Sequence, residues 1–155
     1  MTAISNDESQ PVVLFTIGFA KKNAQEFFGT LKHNQVKTLI DVRLNNVSQL
    51  AGFTKKNDLE YFLKELCDIE YFHRPVLAPT KNILDAYKKK EISWEEYENK
   101  YLDLLSERQV ATSCGPHELN MSCLLCSEPK ANNCHRRLLA EYFKKSYDNI
   151  VIKHL

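Results

Sequence analysis

The sequence predicts a single-domain α/β fold: an open, mainly parallel sheet of about five strands with helices on both faces. Three observations carry this. Short, nearly continuous apolar runs such as VVLFTIG and SCLLC recur along the chain, as expected of strands buried on both faces. Between them lie segments with apolar residues at helical spacing, several opened by Asn or Ser with Glu three residues later. Alternating strands and helices imply right-handed crossovers and parallel pairing.

Each element has its own signal. The polar, acidic start MTAISNDESQ lacks the basic and apolar parts of a signal peptide, so residues 1–11 read as a disordered tail and 12–155 as the domain. VVLFTIG (Val12 to Gly18) is the first buried strand. Asn23 with Glu26 opens a helix whose apolar face is Phe27, Phe28 and Leu31. VKTLIDV (Val36 to Val42) is the second strand, followed by a loop rich in Asn, Ser and Gly. Asn57 with Glu60 opens the next helix, with Leu59, Phe62, Leu63 and Leu66 at helical spacing. IEYFH (Ile69 to His73) is the third strand, and Pro75 and Pro79 interrupt regular structure after it. Asn82 to Lys90 reads as a helix. Ser93 with Glu96 opens a longer one, whose Trp94, Tyr97, Tyr101, Leu104 and Leu105 form a core face. Ser113 to Asn120, with Gly115 and Pro116, reads as a loop. SCLLC (Ser122 to Cys126) is the fourth strand. Asn132 or Asn133 caps the last helix, which buries Leu138, Leu139, Tyr142 and Phe143. NIVIKHL ends the chain as a fifth strand.

Composition narrows the function. A chain of 155 residues can bury about two-thirds of its unfolded surface as one domain. Hydrophobic residues make up 43% and charged residues 26%, ordinary values for a globular protein. A net charge of +1 provides no global field for nucleic acid or an anionic membrane, so any anion site must be local. A role as a nucleic-acid-processing accessory factor is therefore an alternative without support from charge. The basic run Lys88 to Lys90 meets Glu91 and reads as a solvated helix end. No apolar stretch approaches the roughly 20 residues of a membrane helix. Five cysteines, an odd number without a secretory signal, point to reduced thiols in a cytoplasm. Oligomeric state is not set by the sequence.

Open parallel sheets bind ligands at the carboxyl ends of their strands. The residues just after the strands are Gly18 to Lys22, Asp41 and Arg43, His73 and Arg74, and finally Cys126, Glu128, Cys134, His135 and Arg136. The last group brackets a strand-loop-helix junction. Free N–H groups at a helix start favour anions and lower the pKa of a cysteine placed there. Arg136 can grip a phosphate or carboxylate at two points, and Glu128 can orient it or act as a general base.

Bland readings stand beside these. Cys123 and Cys126 suit small core positions, His135 shares a face with Leu138, Leu139 and Tyr142, and Asp41 with Arg43 makes a structural ion pair. Three functional templates compete. A metal bound by Cys126, Cys134 and His135 would use Cys-x7-Cys-His, which matches no common structural zinc spacing. A rhodanese-like or phosphatase-like thiolate loop is suggested by LIDVR and the late strand-Cys-loop-Arg-helix. The nine residues between Cys126 and Arg136 exceed the spacing of such loops. The third template is an edge that binds a small anion or nucleotide through Arg43, Arg74 and Arg136.

Taken together, these motifs resemble the domain of unknown function 488 family. The matching segments are TIG (Thr16 to Gly18), LIDVR (Leu39 to Arg43), GFTK (Gly52 to Lys55), Y-x-H-x-P (Tyr71 to Pro75), LLC-x-E (Leu124 to Glu128) and CHR-x-L-L-A-E (Cys134 to Glu141). The resemblance implies a compact α/β fold, with Asp41, Arg43, Cys126, Glu128, Cys134, His135 and Arg136 as signature positions. It implies no particular reaction. The chain departs from the pattern in Leu44 to Leu50, which has no basic residue, and in Leu77-Ala78.

The expectation is a cytoplasmic protein that binds a nucleotide or other small anion at the sheet's carboxyl edge. Cys126, Glu128, Cys134 and His135 are the catalytic candidates. Gly18, Asp41, Arg43, His73, Arg74 and Arg136 are the candidate ligand contacts. Enzyme and binding module are both open. No cofactor is expected, with zinc or iron on Cys126, Cys134 and His135 as the alternative.

Overall fold

The structure, a computed structural model, describes residues 10–45, 52–127 and 133–155. Glu128, Asn132 and most of the N-terminal tail lie outside the described residues. Five strands form one open sheet in which every pairing is parallel. They are β1 (Val12–Gly18), β2 (Thr38–Asp41), β3 (Glu70–His73), β4 (Ser122–Cys126) and β5 (Ile150–His154), in the order β3-β2-β4-β1-β5. β4 is buried along its whole length at the centre, which is why SCLLC carries no charge. β3 lies at an edge and buries none of its residues.

Helices cover both faces. α1 (Ala24–His33) and α2 (Lys56–Cys67) pack Phe27, Phe28, Leu31, Leu59 and Leu63 against Phe15, Ile17, Leu39, Cys123 and Leu125. On the second face lie α3 (Lys81–Lys88), α4 (Trp94–Glu107), α5 (Val110–Ser113), α6 (Pro116–Leu119) and α7 (His135–Ser146). They pack against Leu14, Ile40, Val42 and Leu124. The pleat sends successive strand residues to opposite faces, so two cores arise from one set of strands. Tyr97, Tyr101 and Leu105 are core residues, with Trp94 and Leu104 packed against them.

Capping boxes form at Asn23 with Glu26 and at Ser93 with Glu96. Three other starts differ from the sequence reading. A 3₁₀ turn at Gly52–Thr54 feeds the chain into α2, whose cap is Lys55 rather than Asn57 and makes no side-chain bond. α3 starts at Lys81 rather than Asn82, capped by Thr80, whose hydroxyl accepts from the Ile83 N–H. Cys134, not Asn133, is the cap of α7, again without a side-chain bond. The segment 113–120 is not all loop. Pro116 occupies the first turn of α6, where a missing N–H costs nothing.

The connection after β1 runs to α1 on the first face, whereas that after β4 runs to α7 on the second. These strands are neighbours, with Gly18 beside Cys126. Their carboxyl ends form the switch point where open α/β sheets bind ligands. No helix among the described residues is long and apolar enough to cross a membrane.

Candidate functional site

Most of the described sequence-derived residues gather at the carboxyl edge in two clusters, one on each face. Asp41 pairs with Leu125 in register, so Val42 continues beside Cys126, and Asp41 and Arg43 point the other way.

On the first face, Asp41 is fully buried and holds Arg43 at two points. Nε donates to Oδ1 at 2.8 Å and Nη2 to Oδ2 at 2.7 Å. The Arg43 backbone N–H and the Tyr71 hydroxyl also donate to this carboxylate, at 3.1 and 2.6 Å. Nη2 reaches the Thr54 carbonyl at 2.7 Å, and the guanidinium lies 5.3 Å from the Phe19 ring centre. Burial pulls the Arg43 pKa down, but the Asp41 bonds and charge outweigh it and the net shift is upward. Nη1 is buried with no hydrogen-bond acceptor among the described residues. His73 donates from Nε2 to the Arg43 carbonyl at 2.8 Å and so braces this turn.

On the second face, Cys126 ends β4 and Cys134, His135 and Arg136 begin α7. The Cys126 Sγ lies 3.6 Å from His135 Nδ1, and His135 Nε2 lies 2.8 Å from the Val42 carbonyl. A carbonyl only accepts, so Nε2 carries a proton, and in the neutral ring Nδ1 presents its lone pair to Cys126. The Cys126 and Cys134 sulfurs and a His135 ring nitrogen all lie within 4.8 Å of one another, and all three residues are buried. Tyr101 packs edge-on against the imidazole, with centroids 5.8 Å apart.

Arg136 is almost wholly buried. It donates to the Cys134 sulfur at 3.7 Å and to the Thr16 hydroxyl at 3.4 Å. The Thr16 hydroxyl also bonds His154 Nδ1 at 2.6 Å. Lys22, in the turn after β1, has its pKa lowered by burial and by repulsion from Arg136, with Glu26 opposing.

The expected activation of Cys134 by the helix start is reversed. Its hydrogen bond to Cys126, its burial and the charge of Cys126 push its pKa well up, and Arg136 does not offset them. His135 is also held above its ordinary value. Burial alone would lower it, but the Cys126 sulfur and the Val42 carbonyl favour the imidazolium.

Arg74 stands apart from both clusters. It pairs with Glu118 at 3.7 Å and lies 5.9 Å from the Phe72 ring centre at the sheet's edge. Gly18 is buried at the switch point beside Cys126. The sequence reading does not single out Tyr71, Thr54, His154 or the hydroxyl of Thr16 as site groups. Thr16 has a signal, being the polar residue inside an apolar strand, and it also falls in the TIG motif.

The sequence profile of the family described as "Domain of unknown function DUF488" matches residues 23–143. That span includes both clusters apart from Thr16, Gly18, Phe19, Lys22 and His154. Comparison with curated proteins and with solved structures gives no match.

Proposed function

The chain belongs to the DUF488 family, and we propose that it binds a small anionic molecule, a nucleotide or another phosphate- or carboxylate-bearing compound, at the carboxyl end of β4. The observation that carries this reading is the pairing of Cys126 with His135 at the switch point, with Arg136 next in the helix and the charge of Lys22 near enough to be felt by Arg136. The cations attract the anionic end of the ligand. Arg43 contributes from the other face, where a ligand oxygen would satisfy its buried Nη1. The His135 Nδ1 faces the Cys126 sulfur and can take its thiol proton, so the reactive end offers sulfur as a nucleophile or as a donor atom.

A thermal-shift panel of nucleotides and sugar phosphates tests the reading. A true ligand at about 100 times its Kd adds about 2.7 kcal/mol, which raises Tm by roughly 5–10 °C for a chain of this size. Lys22→Ala should diminish that shift while leaving the unliganded Tm nearly unchanged, because Lys22 is only half-buried. If no compound in the panel raises Tm, the reading fails.

A further inference from the structure

We infer that Cys126, Cys134 and His135 form a three-ligand centre for a zinc-class divalent ion at the end of β4. This rests on the reading of that edge as the site and names the cofactor it would use. The sequence spacing argues against a metal only because it is not that of a zinc knuckle. The fold removes that objection, because one ligand comes from a strand end and two from the start of the following helix.

Three features fit a metal. The donor atoms lie within 4.8 Å of one another, so a small inward movement brings all three onto one ion. Zinc lies about 2.3 Å from sulfur and about 2.0 Å from nitrogen, so a tetrahedron sets such donors about 3.5 Å apart. The Cys126 Sγ to His135 Nδ1 separation is 3.6 Å. The outer contacts are also those of a metal site. A metal-bound histidine gives its other N–H to a carbonyl or carboxylate, as His135 does to Val42 at 2.8 Å. The Arg136 N–H on the Cys134 sulfur at 3.7 Å supports a thiolate there.

A two-sulfur, one-nitrogen set selects zinc over magnesium or calcium. Three protein ligands is also the number found in catalytic zinc sites, where water or substrate takes the fourth position. Loading is balanced by the thiols. The ion forms two metal–sulfur bonds and one metal–nitrogen bond, and each S–H releases its proton to solvent.

Cobalt(II) titration of the full chain, prepared in chelator-treated buffer, tests this without any ligand. The expected result is one ion per chain, with a sulfur-to-cobalt charge-transfer band and the intense visible bands of a tetrahedral ion, both bleached by zinc. Cys134→Ser should weaken cobalt binding by about 100-fold or more. Cys67→Ser, which removes a thiol on the opposite face, should leave it intact. Should Cys134→Ser fail to fold, proton release on adding zinc to the unmodified chain gives the second readout, and release of thiol protons is expected. Absence of a charge-transfer band, absence of proton release, or an unaltered band in folded Cys134→Ser would overturn the metal centre. None of these outcomes bears on the nucleotide thermal shifts, so the two readings fail separately.

Discussion

Replacing Asp41 with asparagine keeps the shape of the side chain and removes its charge. Asp41 is fully buried and accepts four hydrogen bonds, from the Arg43 N–H, Nε and Nη2 and from the Tyr71 hydroxyl. The guanidinium left behind is also almost wholly buried, so water does not replace the lost partner. Breaking such a pair from one side costs about 3–5 kcal/mol. Asparagine retains one acceptor oxygen, which places the expected loss near the low end, about 3 kcal/mol. With a urea m-value of about 2 kcal/mol/M, the midpoint falls by about 1.5 M with the slope unchanged. The same loss lowers Tm by roughly 6–12 °C. Removing both charges in Asp41→Asn/Arg43→Met should cost less than the two single changes together, with a coupling of about 2 kcal/mol. Urea melts of the four proteins decide this. A loss below about 0.5 kcal/mol for Asp41→Asn, the range of ordinary surface changes, would refute the assignment.

Tyr101→Phe should cost about 1–2 kcal/mol in the same melts, because the Leu77 carbonyl loses its buried hydroxyl donor while the ring packing is kept. Ser93→Ala removes half of the α4 capping box and should cost about 1 kcal/mol, seen also as faster amide exchange in the first turn of α4. Burial, and then the charge of Glu118, raise the Cys114 thiol from 9.0 to about 11. Its contribution to stability is complete below the unfolded value and is lost as pH rises from 9.0 to about 11. Melts across that window should show an alkaline decline of about 2 kcal/mol that shrinks in Cys114→Ala; an identical decline in both proteins would exclude Cys114 as its source.

How far the sequence reaches depends on how local each determinant is. VVLFTIG and SCLLC match β1 and β4 residue for residue, because a doubly buried strand needs an unbroken apolar run. The Asn23 and Ser93 boxes are legible because a capping box is a contact within one turn. The same pattern at Asn57 misleads, since the turn at Gly52–Thr54 delivers the chain two residues early, with Lys55 as the cap and α2 starting at Lys56. The Gly115-Pro116 pair reads as a breaker, yet it starts α6. At the site, the strand-end rule brings together Cys126, Cys134, His135 and Arg136. It does not tell which face each residue takes, because that is set by register between strands far apart in the chain.

Register also links the two faces. Val42 lies between Asp41 and Arg43 in the chain, and its side chain packs in the second core. Its carbonyl accepts the His135 Nε2 proton at 2.8 Å, and its own N–H donates to the Leu125 carbonyl at 3.1 Å. The Asp41–Arg43 pair on one face therefore fixes the peptide that orients the imidazole on the other. No substitution of the Val42 side chain removes that acceptor, because it is backbone. Loosening the pair does disturb it, so Asp41→Asn should broaden the His135 ring signals in NMR and let the Nε2 proton exchange faster, although no Asp41 atom touches the ring. A conservative change on the second face that leaves the Val42 peptide alone, Tyr101→Phe, should not do so. If Asp41→Asn lowers stability but leaves the His135 signals sharp and its proton protected, the two clusters are independent, and the first only holds the sheet edge.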